Sequence, residues 1–305
     1  GRYHANRPAM STLFRTLLFG LLLTACQGTP PDPRRDDDLT SGHVLVLAEE
    51  EFRSLLEGQR IVFEQTYADA RVDIRYLPQA HLLKAMLNDS VRVVFTTCAP
   101  GGEQKDYFRS RQLSTPMTPV LVDAVAVLTG PRQQALTLTV EDLRQRLYTP
   151  EAVTLFESTG SGVARTVVDS LLGGDASAVR GASAAEGLNN LISRLERDTT
   201  AIGLIPFSLI SDLDDPVCKA IRARTQLCAI APAPGATPVL PNQSTLADGS
   251  YPLRRKLYAL NVEGRSGLGT GFVSFVAGHK GQRIILKSGL APQTVPAREV
   301  MLVNP

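Results

Sequence analysis

The chain has 305 residues, of which 43% are hydrophobic, 20% charged and 6% aromatic, and its formal net charge is +2. Lys, Arg, Asp and Glu are interspersed without a basic stripe, which argues against a nucleic-acid partner. Trp is absent and aromatic residues are few, so the chain is poorly supplied with stacking platforms for sugars, whereas small ions need none.

Residues 10–26, MSTLFRTLLFGLLLTAC, run from a basic residue through an apolar stretch to small residues and a cysteine. That order predicts a secretion signal, and the apolar run over 17–23 is too short to span a bilayer. The closing LTAC matches a bacterial lipobox, which predicts that Cys26 is acylated and becomes the first mature residue. Residues 1–26 are therefore excluded from the fold, and the membrane is met through lipid alone. Residues 27–41, QGTPPDPRRDDDLTS, are polar, proline-rich and charged in blocks, the composition of a flexible tether. The chain beyond it is long enough for one large domain or two ordinary ones of about 150 residues.

From Gly42 onward, β-rich runs alternate with helical patterns. HVLVLA precedes a helix in which Phe52, Leu55 and Leu56 share a face. RVDIRYL alternates as a strand does, AHLLKAMLND is helical again, and VRVVFTT has the composition of a buried strand. This βαβαβ order predicts a parallel sheet covered by helices on both faces. PVLVDAVAVLTG, residues 119–130, is too long for an ordinary strand and too β-branched for a helix, as expected of a strand that leaves one sheet for another. Thr139 is placed to cap the helix that follows. Next come the strand AVTLFES, a helix after STGSG, a second near AAEGLNNLISRLER and the strand AIGLIPFS. Residues 231–252 show no clear periodicity. RRKLYALNV reads as a second crossing strand, and two short helices broken near Gly278 follow it. The expected architecture is α/β: two lobes joined by two crossing segments, with ligand between them at strand carboxyl ends and helix amino ends. Beyond Cys26, Cys218 and Cys228 close a short loop and are a candidate disulfide, with two buried thiols as the alternative; Cys98 is then the odd one out.

No H-E-x-x-H, G-x-S-x-G or S-x-x-K motif is present. GLGTG at residues 267–271 lacks the last glycine of a dinucleotide fingerprint, so no enzyme, cofactor or metal is implied. FESTGSGVARTVVDSLLGG is more informative. Ser161 is placed as the cap of a helix whose first N–H groups, at Gly162 and Val163, lie at the positive end of the helix dipole and can hold an anion. Arg165, one turn in, can add a bidentate donor. Thr96 and Thr97 end the third strand and offer hydroxyls. Glu49 and Glu50 follow the first strand, where one carboxylate can accept a hydrogen bond from a protonated oxyanion and repel an unprotonated one, favouring phosphate over sulfate. Ordinary helix and strand capping accounts for each of these residues as well.

Together, VDAVAVLTG, LTVEDLRQRL, STGSGVARTVVDSLLGG, AIGLIPFSLISDLDDP and the run from YPLRRKLYALNV to ILKSGLAP resemble the phosphate-binding periplasmic solute-binding proteins of ABC transporters, in a lipoprotein branch. The resemblance covers almost all of the mature chain. It implies a type II periplasmic-binding-protein fold, with residues 42–122 and 257–305 in the first lobe and residues 123–256 in the second. It also implies capture of phosphate and delivery to a membrane permease. Ser161 and Gly162 match the family's phosphate-holding Ser-Gly pair, and Val163 stands where a Thr is usual. The arginine that precedes that pair in the family falls near Glu157 here. LPQAHLL replaces a Gly-Ser-Gly helix start, and the aspartate after the third strand is replaced around Thr96, Thr97 and Cys98, leaving Glu49 or Glu50 as substitutes. Two functions follow: a lipid-anchored receptor for phosphate or a related oxyanion in the bacterial envelope, or an envelope lipoprotein that keeps the fold as a sensor or assembly partner without tight phosphate binding.

Overall fold

The computed structural model describes residues 37–88, 90–134 and 136–295. The expected signal segment, the acylated Cys26 and residues 27–36 of the tether lie outside the described residues.

Strand β1 (Gly42–Glu49) buries Val44, Val46, Leu47 and Ala48, residues on both of its faces, as a strand sandwiched between helices must. A 3-10 turn over Glu50–Phe52 leads into α1 (Arg53–Thr66), which buries Leu55, Leu56, Gln59 and Phe63 along one side. Then come β2 (Ala70–Leu77), α2 (Gln79–Ala85), β3 (Val93–Thr96) and α3 (Gly102–Ser110). β2 and β3 flank β1 and run parallel to it, the arrangement that the βαβαβ order predicts.

β4 (Met117–Thr129) spans 13 residues and is buried from Val120 to its end. After it come β5 (Thr137–Thr139), α4 (Val140–Tyr148), β6 (Thr154–Phe156), α5 (Gly162–Leu172), β7 (Ala182–Ala184), α6 (Leu188–Arg197) and β8 (Ile202–Pro206). Thr139 caps α4 as expected, its hydroxyl accepting the Asp142 N–H at 3.0 Å while Asp142 accepts the Thr139 N–H at 2.7 Å. The chain continues through α7 (Pro216–Arg224), β9 (Gln226–Leu227), β10 (Ala229–Ala231), α8 (Gln243–Asp248), β11 (Arg254–Asn261), α9 (Leu268–Ala277), α10 (His279–Lys287) and β12 (Ala291–Pro292). α8 lies in the stretch without periodicity; a short helix started by its Asn242 cap buries too few residues to leave a pattern.

Ten strands form one curled sheet in the order β2-β1-β3-β11-β4-β8-β6-β7, with β9 and β12 also on β4, and β5 and β10 pair in a separate two-stranded sheet. β4 joins the lobes: residues 117–124 pair with β11 and residues 125–128 pair with β8. β11 lies between β3 and β4, and beside it Val125 N–H donates to Leu253 O at 2.9 Å and the Tyr251 hydroxyl donates to Val125 O at 2.8 Å. Phe272 of α9 meets Phe63 of α1 and Phe95 of β3 edge-on, at centroid distances of 5.3 and 5.9 Å, which fixes helices to sheet in the first lobe.

Two further expectations change. The tether was expected to stay solvated to Ser41, yet the chain is docked from Asp37. The Asp37 carboxylate accepts the Leu268 N–H at 2.8 Å at the start of α9 and pairs with Arg265. Leu39 crosses α9 so closely that a Cβ on Gly271 would lie 1.8 Å from the Leu39 carbonyl oxygen, so that crossing needs glycine. Cys218 and Cys228 are not joined; both are free, buried thiols, and Cys98 is free and partly buried. The intervening chain folds as α7, a rigid spacer, and Cys228 is pinned to β4 by its N–H on Val127 O at 2.8 Å. Among the described residues no helix is long and apolar enough to cross a membrane.

Candidate functional site

The ends of β1 and β3, the starts of α2, α5 and β11, and the middle of β4 converge between the lobes. Glu49 closes β1 and is 1% exposed. Its Oε1 accepts from Gln79 Nε2 at 2.9 Å, Thr96 Oγ1 at 2.7 Å and Thr97 N–H at 2.6 Å, and Thr97 Oγ1 lies 3.1 and 3.0 Å from its two oxygens. A carboxylate removed from water needs such a shell of donors.

α5 faces this shell from the second lobe. Ser161 caps it, with Oγ accepting the Ala164 N–H at 3.1 Å, which leaves other first-turn N–H groups for acceptors from elsewhere. Val163 N–H reaches Glu51 Oε1 at 3.4 Å, a long contact. Gly162 allows the close approach: a Cβ there would lie 2.6 Å from Glu49 Oε2 and 3.1 Å from both Arg255 Nη1 and Gln79 Nε2. Nearby, Ala80 N–H donates to Gly160 O at 3.3 Å.

Beneath the helix start lies Arg255 of β11, its side chain 3% exposed. Its Nε and Nη2 donate to Asp123 Oδ2 at 2.9 and 2.7 Å, and Nη2 is also 2.7 Å from Glu51 Oε2. Nη1 is buried without a hydrogen-bond partner. Asp123 Oδ1 accepts the Ser208 N–H at 2.9 Å, and Ser208 Oγ donates to Glu51 O at 3.3 Å. One guanidinium thus serves two carboxylates, Glu51 from the turn after β1 and Asp123 from β4. Burial alone would pull the guanidinium pKa down, but Glu51, Asp123 and Glu49 together hold it above its ordinary value. Burial, then repulsion from Glu51, pushes the Glu49 carboxyl up, against the pull of Arg255, Gln79 and Thr97.

That direction has a sign for stability. A carboxyl with a raised folded pKa favours folding most below its unfolded pKa of about 4.3, and that contribution is lost as pH rises through the folded value. Glu49→Gln removes the titration. The stability of the variant relative to the parent should therefore rise with pH above about 4.3, in urea unfolding measured between pH 4 and 8. A pH-independent difference would show that Glu49 titrates alike in folded and unfolded chains.

Of the residues singled out from sequence, Glu49, Thr96, Thr97, Ser161, Gly162 and Val163 meet here. Two do not join them. Glu50 turns outward and grips Arg53 with both oxygens at 2.7 Å. Arg165 pairs with Asp169 at 3.4 Å, with about half of its side chain in solvent. Gln79, Glu51, Asp123, Ser208 and Arg255 complete the cluster without having been singled out as ligands. Asp123 carried a readable signal, as the one charge inside PVLVDAVAVLTG: a buried strand residue of that kind needs a cation.

Above Glu51 a cleft of ≈ 760 Å³ opens between the lobes, bordered by Pro78 and Gln79 on one side and by Glu157, Ser158 and Leu188 on the other. Its wall carries Glu50, Glu157, Glu186, Asp212 and Asp215 against Arg53 and Lys287. Burial, followed by the nearness of Glu51 and Glu50, pushes the Glu157 carboxyl up.

A family model described as a PBP superfamily domain matches residues 35–280. No curated protein matches the sequence. Among solved structures, similarity is found to a candidate phosphate ABC transporter substrate-binding protein from Clostridium perfringens with bound phosphate, at 18% identity and a TM-score of 0.66, covering 83% of this chain and 100% of that one. An ABC-type phosphate transport receptor from Vibrio cholerae matches at 12% identity and a TM-score of 0.62, over 82% and 100% of the two chains. The OxyR2 regulatory domain of Vibrio vulnificus matches at 12% identity and a TM-score of 0.52, over 81% and 96%. At these identities the likeness is one of fold, the type II periplasmic-binding fold, which carries more than one function.

Proposed function

This chain belongs to the PBP superfamily, and on that premise we propose that it is a lipid-anchored solute-binding protein of the bacterial envelope. In this reading its two lobes close on phosphate or a related small oxyanion, which it delivers to an ABC importer without covalent chemistry. The anchor is Cys26, and residues 42–122 and 257–305 form one lobe, with residues 123–256 as the other. The observation that carries the proposal is the donor set between the lobes: Thr97 N–H and the Thr96 and Thr97 hydroxyls from one side, Val163 N–H at the start of α5 from the other, and Arg255 below. Amide N–H groups at a helix start, hydroxyls and a guanidinium are the chemistry that holds an oxyanion. Glu49 then accepts a hydrogen bond from an oxyanion that carries a proton and repels one that does not, which favours phosphate over sulfate.

One observation favours a second reading. Glu49 and Glu51 already engage these donors, and the cleft wall is predominantly acidic, which suits an envelope lipoprotein that senses or assembles without tight phosphate binding. Thermal unfolding of the mature chain, made soluble by Cys26→Ser, separates the two. Phosphate at about 100 times its Kd stabilises by roughly 2.7 kcal/mol, with a smaller effect from sulfate. No shift with phosphate, arsenate, sulfate or molybdate at millimolar concentration selects the second reading.

A further inference from the structure

The donors between the lobes are occupied, and occupied badly. Glu51 Oε1 takes the Val163 N–H at 3.4 Å, well beyond the usual 2.7–3.2 Å of such a bond. Its Oε2 lies 2.7 Å from Arg255 Nη2, yet the geometry forms no hydrogen bond, and Arg255 Nη1 has no partner at all although the side chain is 3% exposed. Nη1 points at the start of α5, since the Cβ position of Gly162 is 3.1 Å from it. Buried guanidinium donors left unmade are costly. A site built only to hold Glu51 has no reason to leave a helix-start amide stretched and an arginine nitrogen bare. Glu49 contrasts with it, since its carboxylate is met within 2.9 Å by Gln79, Thr96 and Thr97.

We propose that Glu51 is a tethered competitor: its carboxylate stands in the seat of the solute oxyanion on Val163 N–H and Arg255, and the solute binds by displacing it. The inference rests on the oxyanion reading above and adds the residue that sets its affinity. Displacement is required because the seat has no spare room. Even one added carbon at Gly162 would come within 2.6 Å of Glu49 Oε2, so a second anion cannot enter beside the first. Displacement is also feasible. Glu51 belongs to the 3-10 turn at Glu50–Phe52, its side chain borders the ≈ 760 Å³ cleft, and neighbouring Phe52 is buried and anchors the turn. Rotation of the Glu51 side chain into the cleft frees Val163 N–H and Arg255 while Asp123 keeps its two bonds from Arg255. An oxyanion with several oxygens can then reach both Nη1 and the amide, which a single tethered carboxylate does not.

The test is calorimetric titration of inorganic phosphate into the soluble mature chain and its Glu51→Gln and Glu51→Ser variants, each first shown to unfold cooperatively. Removing the competitor should tighten phosphate binding at least tenfold in both variants. Glu186→Gln removes the same charge from the cleft wall and should change Kd by less than threefold. Equal or weaker phosphate binding by both Glu51 variants, with binding by the parent intact, overturns the competitor and leaves the oxyanion reading standing. A tenfold gain from Glu186→Gln as well would assign the effect to net charge and also overturn it. Absence of phosphate binding in parent and variants alike removes both the competitor and the oxyanion reading.

Discussion

Arg255→Met should lower the unfolding free energy by about 3–5 kcal/mol, the cost of removing one partner from a buried ion pair. Met fills much of the space of the arginine stem, so little of that loss comes from a cavity. The loss is electrostatic. Asp123 is 0% exposed and is left with backbone N–H donors, that of Ser208 among them, and no cation, while Glu51 loses the guanidinium at 2.7 Å. Urea unfolding at neutral pH measures the change. The double variant Arg255→Met with Asp123→Leu tests the cause, because replacing a buried pair by apolar groups is often neutral. Recovery of at least half of the loss is expected. A single-variant loss under about 1 kcal/mol, the scale of a surface pair, would show that the arginine does not hold these two carboxylates together.

Much of this fold was legible because its signals are local. The apolar run within Gly42–Glu49 and the alternation over Ala70–Leu77 set strands against helices, the length of Met117–Thr129 marked the crossing strand, and Ser161 announced the cap of α5. The site was legible only in halves. Ser161, Gly162 and Val163 are neighbours in sequence, and so are Thr96 and Thr97. Arg255 and Asp123 are 132 positions apart, and nothing near RRKLYALNV says which arginine faces inward. That choice is made by strand register: Arg255 pairs with Asp123 across β11 and β4, and is 6% exposed while Arg254 is exposed. A slip of one residue would exchange the two. The three consecutive glutamates posed the same problem on a smaller scale. They read alike as helix-start acids, yet the tight turn at Glu50–Phe52 sends Glu49 and Glu51 inward and Glu50 out to Arg53.

The narrowest place between the lobes yields the second large effect. Gly162→Val puts a branched side chain where even a single carbon would be 2.6 Å from Glu49 Oε2 and 3.1 Å from Arg255 Nη1 and Gln79 Nε2. Gly162 opens α5 with Ser161 as its cap, and valine is a better helix former than glycine, so the backbone presents no obstacle; the obstacle is the other lobe. Two responses are available, side-chain retreat or separation of the lobes. Glu49 has little freedom to retreat, being held by Gln79, Thr96 and Thr97 within 3.1 Å. Separation breaks the long Val163 to Glu51 contact and the Ala80 to Gly160 bond first, both stretched beyond 3.2 Å already. The expected result is a loss of about 1–3 kcal/mol, as for overpacking elsewhere. A larger radius of gyration in solution scattering and loss of the phosphate-induced shift in melting temperature should accompany it. If scattering and phosphate response match the parent while stability falls, the strain is absorbed within one lobe, and the start of α5 is a packing contact and no part of a closing site.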